Sequence, residues 1–575
     1  MRSIELLAPA RNADIGIAAI NCGADAVYIA GPAFGARINA SNPISEIERL
    51  CAYASRFSVR VFVTFNVLID DDELEEVHAL MLACQRVGVS AFIIRDPRLC
   101  IFTDIVVPFH ASTQCSIRDV SRARLFESAG CSRIVLEREL PLETIREICS
   151  SVECEVECFV HGALCVCYSG VCALSEKLTG RSADRGECVQ ACRNLYDLED
   201  AEGKVIGRNK AYLSLKDLNL SNNLESLLDV GVTSLKIEGR LKNASYVSNV
   251  VREYSLKLDE IILRQPHDYK RSSVGRVEGG FTPSLYKTFN RSYTSLFFDK
   301  SPLWANFTAP KSMGEEIGIV LSVNRKSYDI MEIRVRTEVK DLQNGDGFAF
   351  VRGSEIVGFR GDLCRGSIIL CKSVEGLKEG TILYRNYSSA FEKQLEVEKC
   401  HRIISVMVSY YSKLTADGFL SCVFTAVSED GREVEYCLNG CEQANNTIRE
   451  EFVYKTQIGK HTSDYLFELA EIKGLLAHMP ISTLNGVRRR LSEMLDALPC
   501  RGDKMLNIPW RKSVKYEIGR RPGELMRSKY CLRRELGCCL KDKNSEHKQL
   551  FLVNNGRRFP LLFDCSVCEM ALLEP

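Results

Sequence analysis

No run of about 18 uncharged apolar residues occurs in the sequence, so no membrane-spanning helix is expected. The opening Met1-Arg-Ser-Ile-Glu-Leu-Leu carries Glu5 where a secretory leader would be apolar, so no leader is expected either. Internal repeats and low-complexity stretches are absent. There is no His-Glu-x-x-His, no Gly-x-x-x-x-Gly-Lys-Ser/Thr and no Gly-x-Ser-x-Gly, which disfavours a zincin protease, a P-loop NTPase and an α/β-hydrolase. Net charge is missing too: 75 Lys and Arg face 75 Asp and Glu. The whole molecule is therefore no obvious polyanion binder, and DNA is not an expected partner. These absences leave a cytoplasmic globular protein with no membrane partner as the expectation.

What is present fits that class. The chain has 575 residues, 46% hydrophobic and 26% charged, enough for a large core and about three or four domains. The first 250 residues alternate short apolar runs with segments of helical spacing. The strand candidates are Ile4–Ala8, Ala26–Ala30, Arg60–Asn66, Ala91–Arg95, Ile105–Val107, Arg133–Leu136, Glu155–Val160 and Ser234–Ile237. Glycine recurs just before several of them, as in NCGADAVYIA and SAGCSRIVL, where a helix must end in a left-handed cap. Eight strands with helical crossovers predict an α/β fold, a (β/α)8 TIM-like barrel over 1–260; a doubly wound open sheet is the alternative, disfavoured by the lack of Gly-x-Gly-x-x-Gly. A connecting segment over 261–310 and a small β-barrel over 311–400 are expected next. A C-terminal α+β region over 401–500 and 515–575 follows, with helices at Leu466–His478 and Leu484–Leu498. Residues 501–575 carry 16 Lys and Arg against 9 Asp and Glu, either a solvated basic surface or a grip on a polyanion. Arg488-Arg489-Arg490 reads the same two ways.

Barrel active sites lie at the C-terminal ends of the strands. Polar residues gather at those ends here: Asn66, Asp96, His110, Glu137 with Arg138, His161, and Glu238 with Arg240. Some of them would form ion pairs among themselves. Directly after the seventh strand comes a cysteine loop over 158–193. Cys165 and Cys172 form a C-x6-C arm, and Cys188 and Cys192 a C-x3-C arm. Thiolates suit zinc or an iron–sulfur cluster. The long first arm favours a centre wider than a zinc ion, while unliganded thiols remain the third possibility. Cys154 and Cys158 alternate into the core, and Cys167 could be confused with a ligand. A second constellation ends the chain: Cys531, Cys538 or Cys539, and the C-x2-C pair Cys565 and Cys568. It reads as structural zinc, a second iron–sulfur centre or metal-free packing.

The run Glu157-Cys-Phe-Val-His-Gly-Ala-Leu-Cys165…Ser169-Gly-Val-Cys172…Arg185-Gly-Glu-Cys188-Val-Gln-Ala-Cys192-Arg193 resembles the signature of the collagenase-like peptidase family of unassigned mechanism. His110-Ala-Ser-Thr-Gln114, Ser234-Leu-Lys-Ile-Glu-Gly-Arg240 and Phe289-Asn-Arg291 match as well. The C-terminal Lys529-Tyr-Cys-Leu-Arg533…Cys539 and Phe563-Asp-Cys565…Cys568 resemble a long branch of the family that forms 5-hydroxycytidine in 23S ribosomal RNA. Departures from the family pattern fall at Arg11, Cys115, Asp184 and Ser292, none of them a cluster cysteine.

Despite the family's name, the resemblance implies hydroxylation of an RNA base. It implies a 4Fe–4S cluster on Cys165, Cys172, Cys188 and Cys192, and prephenate as a co-substrate. It also selects Cys539 over Cys538. Ribosomal RNA, or tRNA, and a small dicarboxylate become the expected partners. Arg185 and Arg240 are candidate carboxylate clamps, Asn66 and His110 further substrate contacts, and His161 and Glu238 the proton-transfer candidates. A peptidase lacks an evident nucleophile–base pair here. A non-catalytic RNA-binding protein with two structural metal sites is the remaining alternative.

Overall fold

The computed structural model describes all residues except 37–39, 299–302, 309, 504, 509, 513, 515, 518 and 543–547. Eight strands form a closed, all-parallel barrel: β1 (Arg2–Ala10), β2 (Ala26–Ala30), β3 (Arg60–Phe65), β4 (Ala91–Ile94), β5 (Phe109–Ala111), β6 (Cys131–Val135), β7 (Glu155–Gly162) and β8 (Ser234–Ile237). The barrel closes where β8 pairs with both β7 (Ser234 opposite Glu157) and β1 (Ser234 opposite Glu5). The strands are buried on both faces, as a parallel sheet covered by helices requires.

The covering helices follow local rules. In the helix Ile44–Ser55, Ile47, Leu50, Cys51 and Ala54 form one buried stripe at helical spacing. Asp119 caps the helix Val120–Ala129 by accepting from the Arg122 amide, and Gly130 ends it with a φ of 103°. The crossover from β4 to β5 is only a short 3-10 turn, Pro97–Ile101.

The barrel interior holds an ionic layer. Arg133 donates to Glu5, Glu155 and Glu157, Arg60 to Glu5, and Lys236 to Glu157 at 2.6 Å. Burial alone would raise the Glu5 carboxyl, but Arg133 and Arg60 hold it below its ordinary value.

Two segments differ from the sequence-based assignment. Ile105–Val107 is not a strand, and β5 lies just beyond it at Phe109–Ala111. The carbonyls of Phe102, Ile105 and Val107 accept from the Arg511 guanidinium instead of from a neighbouring strand. Leu466–His478 is not helical: Tyr465–Lys473 is a strand, with Tyr465, Phe467 and Leu469 buried alternately. Its Leu, Glu and Ala residues favour a helix, but the period-two burial beside Cys400–Leu414 prevails. The helix Ile481–Asp496 is present as expected.

Beyond the barrel, a seven-stranded antiparallel sheet between Glu315 and Tyr387 curls round its own core of Ile317, Val320, Ile333, Phe348, Ile369 and Leu383. Residues 401–500 and 515–575 join two different sheets. The first is centred on Cys400–Leu414 and carries the helices Thr447–Ile458 and Ile481–Asp496. In the second, strands from Glu524 to Leu573 are completed by a hairpin from within the barrel sequence, Tyr196–Asp200 and Val205–Lys210. In the chain between, 499–523, the described residues form neither helix nor strand and act as a strap. It starts at the barrel floor, where Met505 packs against the cluster of Leu7, Ala26, Tyr28, Phe62, Ala91 and Ile93, and rises along the barrel wall to the cysteine loop. Among the described residues no helix is long and apolar enough to cross a membrane.

Candidate active site

The residues after β7 turn over the C-terminal mouth of the barrel and enclose a cavity of about 120 Å³. Cys165, Cys172, Cys188 and Cys192 all border it, and so does Cys167. Gly170 lets the first arm fold down: its φ is 76°, and a Cβ there would stand 2.1 Å from the Gln114 carbonyl oxygen. Burial raises the Cys165 thiol, and the neighbouring Cys172 and Cys192 raise it further. Cys192 is pushed up to about 11, chiefly by burial. Cys172 moves the other way, because Cys167 hydrogen-bonds to its sulfur.

Buried thiols in each other's electrostatic reach resist ionising together unless positive charge lies among them, which a metal group supplies. Among the described residues no three His, Cys, Asp or Glu side chains converge closely enough for a single metal ion. A four-iron cluster takes one thiolate per iron, so its ligands surround a body instead of meeting at a point. The four thiols and the cavity they border fit such a group.

The rest of the wall is cationic and aromatic. Arg138 lies 3.6 Å from Glu238 and 3.9 Å over the Phe159 ring. Lys236 sits 4.7 Å over Tyr28, and burial lowers its ammonium below the usual range. Arg240 donates to Thr64 at 2.8 Å. Asn66 accepts from the Ala36 amide and donates to Ser112. Arg138, Lys236, Glu238, Arg240, Asn66, Ser112 and Gln114 thus line the same cavity as the four thiols. Three cations against two carboxylates make it a place for an anion with an apolar ring.

Three candidates lie elsewhere. His161 is buried among Tyr246, Tyr254 and Tyr293, and burial drives its imidazole down to about 3. The ring is therefore neutral near pH 7 and does not border the cavity. His110 is one strand repeat below the cavity-lining Ser112, edge-on to Phe62 in the ionic layer. Burial, with Arg133 nearby, lowers it well below its ordinary value. Arg185 turns outward to Glu73 and the Leu68 carbonyl, bracing two loops. Lys236, Tyr28 and Phe159 were not picked from the sequence, because they sit inside strands. For Lys236 the available signal was its register, two residues before Glu238 on the same strand face.

The second quartet is partly assembled. Cys565 and Cys568 occupy the tight turn between Arg557–Asp564 and Glu569–Leu573, and Cys531 precedes a short helix at Leu532–Glu535. Burial raises the Cys531 thiol, and Cys539 and Cys565 add to it. Lys541 donates to the Cys568 sulfur at 3.0 Å. These four also do not meet at one point. The basic excess of this region is largely committed internally: Arg511 to carbonyls, Arg520 to Asp184, Arg527 to Glu569 and Arg558 to Glu199.

The structure thus defines a parallel α/β-barrel protein with a cysteine-lined, cation-walled cavity at its strand ends. The chain belongs to peptidase family U32, whose model matches residues 11–305. It is 35% identical to the 23S rRNA 5-hydroxycytidine C2501 synthase of Escherichia coli (strain K12), over 99% of this chain and 94% of that protein. It is 32% identical to the tRNA hydroxylation protein P1 of Bacillus subtilis (strain 168), over 62% and 85% respectively. It is also 28% identical to a collagenase of Porphyromonas gingivalis (strain ATCC BAA-308 / W83), over 52% and 74%.

Proposed function

We propose that this protein hydroxylates an RNA base, forming 5-hydroxycytidine in 23S ribosomal RNA. The observation that carries the reading is the joining of four thiols and a cationic wall in one cavity, in a chain that matches a 23S rRNA 5-hydroxycytidine synthase nearly end to end. Cys165, Cys172, Cys188 and Cys192 would hold a 4Fe–4S cluster, which supplies one-electron redox chemistry when bound.

The chain's own residues then have definite tasks. Arg138, Lys236 and Arg240 pair with the carboxylates of a dianionic co-substrate, for which prephenate is the proposal, while Tyr28 and Phe159 flank its ring. Glu238, one of two carboxylates on the wall, is the group proposed to hold or move a proton there. The narrow cavity requires the target base to be unstacked and presented alone. The second quartet is proposed to bind structural zinc, which requires its thiols to close up and Lys541 to release Cys568.

The peptidase reading has less support, since no histidine among the described residues borders the cavity as a base for a cysteine. Nucleoside mass spectrometry of ribosomal and transfer RNA from cells lacking the gene tests the proposal. The hydroxylated cytidine should vanish from 23S rRNA. Its persistence at the normal level would refute the assignment, and loss of a tRNA hydroxylation instead would redirect it.

A further inference from the structure

The strap ends on the cysteine loop at two carboxylates: Arg520 meets Asp184 closely and Glu176 at 3.9 Å. Asp184 lies between the two cysteine arms and borders the cavity. One of its oxygens accepts from Arg95 at 2.9 Å, the other from Arg520 at 2.6 Å. Arg95 is wholly buried at the end of β4, and its other terminal nitrogen donates to the Gly170 carbonyl at 2.7 Å, within the first arm. Arg520 comes from the strap, and its side chain also faces the carbonyls of Val171 and Cys172 at 3.4 and 3.5 Å. The Asp184 carbonyl accepts from the Leu68 amide, anchoring the second arm to the loop after β3.

Immediately after the strap, strand Glu524–Ser528 takes hold of the first arm along its backbone. The Tyr168 amide donates to the Arg527 carbonyl at 2.9 Å, and the Ala173 amide to the Leu525 carbonyl at 2.8 Å. Tyr168 then reaches Glu569 on the neighbouring strand. The loop carrying the thiols is thus suspended between the barrel wall and the C-terminal sheet. Asp184 is where barrel, both arms and strap meet.

We propose that Asp184 is a positioning residue for the four thiols, and that Arg520, delivered by the strap, fixes the separation of the two arms. The C-terminal sheet is then part of the reaction centre's frame. Without Arg520, Asp184 keeps Arg95, but Asp184 and the first-arm carbonyls of Val171 and Cys172 lose their tie to the strap. With Asp184 neutralised, two guanidinium groups face each other with no anion between them. The consequence for metal retention rests on the iron–sulfur reading above; the consequence for the thiols does not.

The test uses full-length, metal-free protein. Alkylation rates of individual cysteines are followed by mass spectrometry under native conditions in wild type, Arg520→Ala, Arg520→Lys and Asp184→Asn. Cys172 and Cys188 should react about tenfold faster in Arg520→Ala and Asp184→Asn, as expected of local opening. The buried Cys84 and Cys131 should stay slow and the thermal midpoint unchanged. Arg520→Lys should restore most of the protection. After iron reconstitution, the visible absorbance of Arg520→Ala should decay several-fold faster than that of wild type.

Wild-type alkylation rates at Cys172 and Cys188 in both disrupted variants would overturn the proposal. Equal acceleration of Cys84 and Cys131 would also overturn it, because the contact would then serve only global stability. If no variant takes up iron while Cys172 and Cys188 still open selectively, the positioning role stands and the cluster assignment fails.

Discussion

At the scale of single residues, the site is a set of groups held away from their usual ionisation. Glu139 shows the cost. It is buried beside Glu137, and one of its oxygens has no hydrogen-bond partner among the described residues. Burial first, and the Glu137 charge second, push its carboxyl up to about 8. The folded protein therefore keeps a proton that the unfolded chain gives up near 4.5. Stability tied to this group is present at low pH and declines as pH rises towards 8, by at most about 1.4 kcal/mol per pH unit. The metal-free Glu139→Gln variant lacks that decline. Its stability advantage over wild type, measured by urea unfolding, should grow from pH 5 to pH 8 and then level off. A constant difference across that range would show that Glu139 ionises normally.

At the scale of elements, the barrel is closed around charge. Arg133 joins β6 to carboxylates on β1 and β7. Arg133→Met would leave Arg60 as the cation paired with Glu5 and Lys236 as the cation paired with Glu157, with the Ser234 hydroxyl donating to both carboxylates. Breaking one member of such a buried network costs about 3–5 kcal/mol. Chemical denaturation should show a loss of that size, and a loss below about 1 kcal/mol would mean that the remaining pairs suffice.

The elements also show why part of the structure was legible in the sequence. Seven of the eight barrel strands overlap their assigned runs, because their apolar stretches coincide with the pairing. β5 was missed by two residues: Ile105-Val-Val107 is the more apolar run, but a guanidinium from 511 occupies its carbonyls. Such a long-range partner leaves no local signal. Tyr465–Lys473 failed for the opposite reason, since helix-forming composition masked a period of two.

At the scale of the whole molecule, chain order and space diverge. The hairpin Tyr196–Lys210 leaves the cysteine loop to complete the C-terminal sheet, and strap 499–523 returns to the same loop from the barrel floor. The four cysteines were readable from spacing alone. Their cationic neighbours Arg138 and Lys236 needed the closed barrel to bring strands six and eight to one cavity. His161 and His110 looked functional because they are polar and lie near strand ends, and Arg185 because a guanidinium in the cysteine loop suits a carboxylate; none of the three borders the cavity. The basic C-terminus likewise resembled an RNA footprint in composition, yet its arginines largely hold the barrel and the C-terminal sheet together.

The central claim is that the cavity's four thiols bind an iron–sulfur group. Iron and zinc quantification of anaerobically purified protein, with its visible spectrum, tests this directly. The account predicts about four irons per chain and a broad visible band, both lost in Cys165→Ser while the fold is retained. Iron well below one per chain after anaerobic reconstitution, or an unchanged band in Cys165→Ser, would contradict it.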